Sequence, residues 1–435
     1  MSHSASCVTN HLNLCLRGSL NLQSKTYWGA MTFPGNDQPC PRDITALSMR
    51  DGESYDEDAQ HRVLRRSPSS SDDRIVPLVR VVIPACRATG LIRYAVLAVL
   101  ASRGPFTLEV IVVDDGGNDD LEEILSGLPA AILSTGGSGS AAVARNRGAE
   151  DFTGSFLVFI DADVLVDSRC IETLIEPLCS SSAEATVGNY SRNVRDLPFA
   201  ARYKQLYISK IYQRRAGYLQ NEFWTAIGAI DACVFRRMVG FDPRFKGAGG
   251  EDTDLGRRLT ESGFRVLAVP AALGDHRHLL SLWQLLKNDW RKGLLAMENH
   301  FESDGSLSEN RHATGRDMLA VGSATMLIAA LLAMPFAFAP MHESIIFSLL
   351  AALYLSTRAD VLRVFSSQGV SFVFPACGLM FLLDATRSGC FITGIYRRFF
   401  VRSQRAATNE TSNEVPLEID DRVHDEEYLH SRLSI

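Results

Sequence analysis

The stretch FLVFIDADVLV, Phe156 to Val166, holds the pattern that decides the fold. Its first five residues, Phe156 to Ile160, are all apolar, which is typical of a strand buried on both faces of a parallel sheet. Asp161 and Asp163 follow at once. Carboxylates beside a core are costly to desolvate without a compensating charge, and a divalent cation with oxygen ligands can supply that charge. The alternative is that the two aspartates lie in a solvated turn at the strand end. Other motifs in the chain are needed to choose between a cation site and such a turn.

Composition divides the chain of 435 residues into parts. Residues 1–75 are polar without a sustained apolar period, and we expect them to be disordered. Residues 76–300 alternate in the manner of a soluble α/β domain, whereas residues 317–400 are mostly apolar and residues 401–435 form a polar tail that we also expect to be disordered. The formal net charge of -6 gives no reason to expect nucleic acid as a partner.

Two strand–helix units open the middle part. Leu78 to Ala85, LVRVVIPA, predicts a buried strand closed by Pro84, and Leu108 to Val113 predicts a second one. Successive units of this kind form a parallel sheet with right-handed crossovers, and such sheets bind ligands at the carboxyl ends of their strands. Asp114 and Asp115 stand at such an end.

Arg145 lies in a segment that suits a phosphate. In GGSGSAAVARNRGAE, residues 136–150, glycines lead into a helix that carries this arginine. A glycine-rich entry lets backbone amides approach a ligand, and a guanidinium binds phosphate oxygens. A solvated basic helix face explains the same residues equally well when they are taken alone.

Further acids and imidazoles occur near later strand and helix ends. Glu251, Asp252 and Asp254 follow glycines at the start of a helix. The helix dipole favours acids there, but the glycines indicate a loop that could deliver a carboxylate into a site. One neutral imidazole of the tetrapeptide Asp275-His276-Arg277-His278 could complete the metal coordination begun by Asp163, although a single histidine is more often structural.

The apolar part of the chain predicts membrane helices. Asp317 to Ala339 is long enough to cross the bilayer as a helix. Two further segments, Ser344 to Thr357 and Val370 to Leu383, are shorter. Arg311 and Arg316 before the first span place the preceding domain on the cytoplasmic side. We expect two crossings with a re-entrant or interfacial third segment, the alternative being three crossings.

In their order and intervals, several motifs resemble family 2 glycosyltransferases of the GT-A fold. They are VRVVIPACRATG, EVIVVDDGGNDD, VARNRGAE, FLVFIDADVLV and GGEDTDLGRRL, and the likeness covers about residues 78–300. The resemblance implies an α/β domain with a Rossmann-like, mostly parallel sheet and flanking helices, followed here by the membrane helices.

The resemblance also implies roles for residues at these motifs. Those that bind the nucleotide sugar would be Pro84, Ala85, Asp114, Asp115, Arg145, Asp161 and Glu251, with Pro84, Ala85 and Asp115 lining the nucleoside pocket. Asp161 and Asp163 match the DxD motif and would hold a divalent metal, Mn²⁺ or Mg²⁺, with His276. Asp252 matches the general base, and the sequence alone does not exclude an exchange of roles with Glu251.

The implied function is an inverting, metal-dependent transfer of a sugar from a nucleotide-diphosphate donor to a hydroxyl acceptor, which a lipid could carry, at the cytoplasmic membrane face. The alternatives are a processive polysaccharide synthase, a catalytically inactive membrane scaffold and a nucleotidyltransferase. Two departures matter. Gly117 stands where the family has serine, and the QxxRW signature of processive synthases is absent. Transfer of a single sugar is therefore expected.

Overall fold

A computed structural model describes residues 76–87, 90–117, 120–219, 221–247, 249–302, 315–334 and 340–410. The segment predicted to be disordered, 1–75, and most of the predicted tail lie outside the described residues.

One mixed sheet of nine strands forms the centre of the first domain. Its order is β3-β2-β1-β4-β8-β6-β9-β5, with β7 paired to β9. The strands are β1 Leu78–Ala85, β2 Thr107–Asp114, β3 Ala131–Ser134, β4 Phe156–Ile160, β5 Val164–Val166, β6 Ala185–Tyr190, β7 Gly217–Leu219, β8 Ile227–Asp231 and β9 Val266–His276. Strands β1 to β4, β6 and β9 run in one direction, and β5, β7 and β8 run in the other. The predicted α/β architecture is confirmed.

Eight helices of the described chain belong to this domain or follow it directly. They are α1 Leu91–Leu100, α2 Leu121–Ile124, α3 Ala141–Ala149, α4 Cys170–Cys179, α5 Phe199–Arg214, α6 Ala232–Arg237, α7 Glu251–Glu261 and α8 Leu282–Glu302. Helix α3 approaches the sheet very closely, because a Cβ on Gly148 would stand only 2.3 Å from Cγ1 of Val82. Glycine at this position therefore allows α3 to bring its arginine to the end of β4.

The central strand β4 is buried along its whole length, as its apolar sequence predicts. Its neighbours are β1, which is parallel, and β8, which is antiparallel. Phe159 packs edge-on against Phe223 and Phe241, with ring centroids 6.3 Å and 5.2 Å away. The chain then turns through Asp161-Ala162-Asp163 into the short strand β5.

Strand β9 extends over 11 residues, and its length matters for the site. Its far end pairs with β5 in a register that sets His276 opposite Val164. The backbone N–H of Arg277 also donates to the carbonyl of Asp163 at 2.8 Å. The β5–β9 pairing therefore places His276 beside the second aspartate of the turn.

Three helices after the sheet domain are long and apolar enough to cross a membrane. They are α9 Gly315–Ala333, α10 Pro340–Ser366 and α11 Val370–Glu410. Both later helices run beyond the predicted segments, because Ser344–Thr357 lies within α10 and Val370–Leu383 is only the first part of α11. The predicted start of the tail, residue 401, also falls inside α11.

A network of buried charges joins these helices to the sheet domain. The guanidinium of Arg358, which is 0% exposed, donates to Asp317 at 2.6 Å and to Asp384 at 2.7 Å. Helices α5 and α8 of the sheet domain each contribute one charge to it. The other ion pairs of the network are Arg387–Asp384, Arg387–Asp289, Arg214–Asp317, Arg214–Asp360 and Arg316–Asp360.

Replacing Arg358 by alanine should strongly destabilise the protein. The change leaves Asp317 and Asp384 buried without this cation, and breaking a buried pair in this way costs about 3–5 kcal/mol. Thermal unfolding of the detergent-solubilised protein measures the effect as a lower melting temperature. Arg363→Ala, on the exposed side of the last turn of α10, is the matched control and should change stability by less than about 0.5 kcal/mol. Equal effects of the two changes would contradict a central role for the network.

Candidate active site

The site is built at the carboxyl end of β4, where the turn to β5 carries both aspartates. The backbone N–H of Val164 donates to the carbonyl of Asp161 at 3.0 Å, which closes the turn. The two carboxylates turn to different partners, Asp161 to an arginine and Asp163 to two histidines.

Arg145 connects the turn to the acidic helix α7. Its guanidinium donates to Oδ1 of Asp161 at 3.0 Å and to Oε1 of Glu251 at 2.7 Å. Both Arg145 and Glu251 are buried, at 4% and 3% exposure. Burial alone would lower the pKa of Arg145, but the charges of Asp161 and Glu251 outweigh it and raise that pKa. The arginine therefore stays charged and holds the two acids together.

The two glycine-rich loops are fastened to each other, which fixes the position of α7. The N–H of Gly247 donates to the carbonyl of Gly139 at 2.8 Å, and the N–H of Ala141 donates back to Gly247 at 3.0 Å. The hydroxyl of Ser140, which also caps α3, donates to the carbonyl of Phe245 at 2.7 Å. Gly250 has φ +98°, a conformation that L side chains rarely adopt, and leads directly into α7.

Glu251 and Asp252 differ sharply in their surroundings. Both oxygens of Glu251 are engaged, one by Arg145 and the other by the N–H of Gly249 at 2.7 Å. Asp252 is half-buried, and its Oδ1 accepts from the N–H of Thr253 at 2.8 Å. It is close enough to Arg145 to contribute to raising the pKa of that guanidinium. Asp252 is thus the acid of this pair that remains available to a substrate. Glu251, predicted to bind the nucleotide sugar, holds Arg145 instead.

Asp163 lies between two imidazoles. Its Oδ2 is 3.5 Å from Nε2 of His276 and 3.2 Å from Nδ1 of His278. Burial would raise the pKa of Asp163, but hydrogen bonds and charge from the two histidines hold the pKa well below its usual range. His276 is itself fixed by stacking on Tyr190, with ring centroids 4.8 Å apart.

The predicted metal-binding set of Asp161, Asp163 and His276 is not gathered as expected. Among the described residues, no group of three or more His, Cys, Asp or Glu side chains is arranged to hold a metal ion. Asp161 is turned to Arg145, and the imidazoles contact Asp163 directly. Even so, Asp163, His276 and His278 together offer the carboxylate oxygen and imidazole nitrogens that a divalent ion such as Mn²⁺ accepts. The donor types therefore fit a metal once the contacts among them open.

The residues predicted for the nucleoside lie at the ends of β1 and β2. Asp114 lines a cavity of about 430 Å³ between β2, β3 and the glycine loop. Asp115 lies beneath this surface and accepts hydrogen bonds from the hydroxyls of Thr135 and Ser138. Ala85 is fully buried, and its carbonyl accepts from the N–H of Asp115 at 2.8 Å. Asp114, rather than Asp115, is therefore the acid that faces open space. Pro84 is partly exposed on β1, where it pairs with Val113 of β2.

Two contributors to the site are not among the residues assigned to it from the sequence. His278 approaches Asp163 more closely than the predicted His276, and its position two residues further along the same strand end was the available signal. Tyr190, which supports His276, lies at the end of β6 and is far from every motif in the sequence.

Comparisons with known proteins find glycosyltransferases similar to part of this chain. Residues 80–242 match the family model described as glycosyl transferase family 2. Over these residues the chain is similar to glycosyl transferase family 2. The family 2 segment overlaps a second match, over residues 208–281, to a model described as the N-terminal domain of galactosyltransferase.

Three individual proteins are similar to parts of this chain. A pre-mycofactocin glycosyltransferase of Mycobacterium tuberculosis is 32% identical over 234 residues, which cover 52% of this chain and 46% of the relative. A validoxylamine A glucosyltransferase of Streptomyces hygroscopicus is 26% identical, over 43% of this chain and 49% of the relative. A solved mannosyltransferase of Pyrobaculum calidifontis, in complex with GDP-Man and Mn²⁺, has a TM-score of 0.45 and 16% identity, covering 78% of this chain and 92% of that one. The chain spans about half the length of the two curated relatives.

Replacing Glu251 by glutamine tests the role of the Arg145 bridge. The change keeps the shape of the side chain but removes the charge opposite Arg145, and hydrogen bonds between charged groups contribute about 1.5–3 kcal/mol. We expect a loss of this size in the free energy of unfolding, measured by denaturant titration in detergent. Glu261→Gln, at the exposed end of the same helix, should cost less than about 0.5 kcal/mol. A stable Glu251→Gln variant would show that the bridge is dispensable.

Proposed function

We propose that this protein is an inverting glycosyltransferase that moves a sugar from a nucleotide-diphosphate donor to a hydroxyl acceptor. The observation that carries the proposal is the bridge from Arg145 to Asp161 and Glu251. It brings the DxD turn and the acidic end of α7 to one place in a segment of the family 2 class. The two motifs are about 90 residues apart in sequence, so their meeting depends on the fold.

Asp252 is the proposed general base. The acceptor hydroxyl oxygen forms a bond to the anomeric carbon of the donor while the bond from that carbon to the diphosphate oxygen breaks. The proton of the hydroxyl passes to the carboxylate of Asp252, and the electron pair of the broken bond leaves with the nucleoside diphosphate. A single displacement of this kind inverts the anomeric centre. Glu251 is unsuited to the role because both its oxygens are already engaged.

The donor side of the site is the end of β4 and the loops beside it. Arg145 carries the positive charge that a diphosphate requires, and Asp114 faces the cavity in which we place the nucleoside. Asp163 with His276 and His278 would hold a divalent ion, with Asp161 joining it if its contact with Arg145 loosens. Such an ion, when bound, supplies positive charge toward the leaving diphosphate.

The acceptor is proposed to reach the site from the membrane. Three apolar helices follow the domain, so a hydroxyl carried by a lipid would be held near the protein. The positive residues Arg311 and Arg316 before the first of these helices favour a cytoplasmic position for the site.

Asp252→Asn should abolish transfer while leaving the donor bound. Loss of a general base lowers the rate by about 10²–10⁴-fold, and the isosteric amide preserves the shape of the site. Sugar transfer from a panel of nucleotide sugars measures the rate, and calorimetric titration with the nucleoside diphosphate measures binding. Asp254→Asn is the control in the same helical turn, where the acid pairs with Arg257 and Arg258.

The Asp252→Asn variant and the products of the unaltered protein together distinguish the competing functions. Retained cellular function of the Asp252→Asn protein would contradict an enzyme and favour a membrane scaffold. Long polymeric products from the unaltered protein would contradict single-sugar transfer and favour a processive synthase. Release of pyrophosphate instead of a nucleoside diphosphate would indicate a nucleotidyltransferase.

Asp163→Asn should weaken metal dependence specifically. Chelation with EDTA is expected to remove the activity of the unaltered protein, and added Mn²⁺ to restore it. Because the amide lacks the negative charge of the carboxylate, the variant should need at least about tenfold more Mn²⁺ for half-maximal activity. Asp196→Asn, an exposed acid paired with Arg277, serves as the control. Activity that survives EDTA in the unaltered protein would contradict the metal assignment.

A further inference from the structure

Helix α11 is covered along one side by helices of the sheet domain. Phe372 packs against Phe199 at the start of α5, with ring centroids 5.4 Å apart. Further along, Arg387 pairs with Asp289 of α8 at 2.9 Å, and Sγ of Cys390 lies 3.5 Å from the carbonyl of Trp290. The covered stretch, Phe372 to Cys390, rises about 27 Å in an α-helix. This length is nearly the thickness of the hydrocarbon core of a bilayer, about 30 Å.

A helix with this cover cannot cross the bilayer by itself. If α11 stood across the membrane, α5 and α8 would have to stand beside it in the hydrocarbon. Helix α5 connects β6 to β7 within the sheet domain, and α8 carries Lys287 and Arg291 on its exposed side. Charged side chains facing lipid are costly, so this placement is unfavourable.

The uncovered faces of α11 and α8 suit the membrane surface. Phe374, Leu382 and Ile392 form an exposed apolar row along α11, and Phe374 is 74% exposed. On α8 the exposed side carries Trp283, Lys287, Trp290 and Arg291, whose spacing puts them on one face of the helix. Tryptophan and basic residues together are typical of the boundary between membrane and water.

The distal parts of α9 and α10 have no such cover. Their exposed side chains are large and apolar, among them Leu331, Leu332, Ile346 and Leu349. From Met318 to Ala333, beyond the buried charge of Asp317, α9 rises about 22 Å. Helices α9 and α10 pack against each other, and their other ends meet at the buried charges. This hairpin is therefore the part of the described chain that can enter the hydrocarbon.

We infer that α11 and α8 lie along the membrane surface beneath the sheet domain, and that only the α9–α10 hairpin enters the bilayer. The partner of the exposed face of α8 is an anionic lipid surface, which its lysine and arginine complement. Because the hairpin returns to the side from which it enters, both ends of the chain lie on the same side of the membrane. Three crossings would instead place the C-terminus on the side opposite the sheet domain.

Tag accessibility tests this topology on the full chain. Epitope tags are placed before residue 1 and after residue 435, and sealed membrane vesicles of either orientation are treated with protease. The N-terminal tag reports the side of the sheet domain, because residues 1–75 contain no apolar stretch long enough to cross. We expect both tags to be cut in the same vesicle preparation and protected in the other. Cutting of the two tags in opposite preparations would overturn the inference.

A second measurement tests the position of α11 itself. Phe374→Trp and Ile392→Trp are compared with the parent protein in bilayers whose lipids are brominated at known depths. A helix in the surface plane gives both tryptophans the same shallow depth of greatest quenching. A tryptophan midway between them, Leu382→Trp, should be equally shallow, and its greatest quenching by bromines near the bilayer centre would overturn the inference. Tyr94→Trp, at an exposed position on α1, should add no quenching beyond that of the parent protein. Neither measurement depends on transfer activity, so its failure is separate from failure of the proposed reaction.

Discussion

The site depends on one buried guanidinium. Arg145 is held at the end of β4 because α3 packs closely on β1 at Gly148, and it binds acids from two loops that are distant in sequence. Its burial is tolerable only because Asp161 and Glu251 supply opposite charges at hydrogen-bonding distance. The same contacts engage Glu251 and leave the neighbouring Asp252 half-buried. A structural ion pair thus determines which acid is left for chemistry.

Local patterns in the sequence predicted the framework of this site. The apolar run before Asp161 predicted β4, and the similar runs before Asp114 and Ala85 predicted β2 and β1. Because the carboxyl ends of parallel strands share one edge, strand direction alone places Asp114 and Asp161 at the same edge of the sheet, with β1 between their strands. The position of Arg145 on a helix after glycines also follows from local signals. Such patterns predict which side chains lie at the carboxyl edge of the sheet. They can do so because each apolar run or glycine segment lies within about ten residues of the side chain that it places.

The pairing of those residues could not be predicted in the same way. His278 and Tyr190 reach the site through β9 and β6, and the register of β9 against β5 depends on contacts about 110 residues apart in sequence. The division of labour between Glu251 and Asp252 has the same origin, since it is Arg145, on another helix, that engages Glu251. Apolar segments likewise predicted membrane helices but not their partners. That α11 packs on α5 and α8 is a property of the tertiary fold.

The charged cluster in the helix bundle and the charged cluster at the end of β4 differ in their balance of positive and negative groups. In the helix bundle, among the described residues, four arginines, Arg214, Arg316, Arg358 and Arg387, pair with four aspartates, Asp289, Asp317, Asp360 and Asp384. Such a set is complete without any ligand, so its role is to hold the helices against the sheet domain. At the end of β4, in the described part of the chain, Arg145 lies among three acids, Asp161, Glu251 and Asp252. This excess of negative charge is unfavourable in a buried place unless a cation or an incoming proton offsets it. The cluster in the helix bundle therefore holds the helices against the sheet domain. The cluster at the end of β4 is the place where a cation can bind or a proton can be taken up.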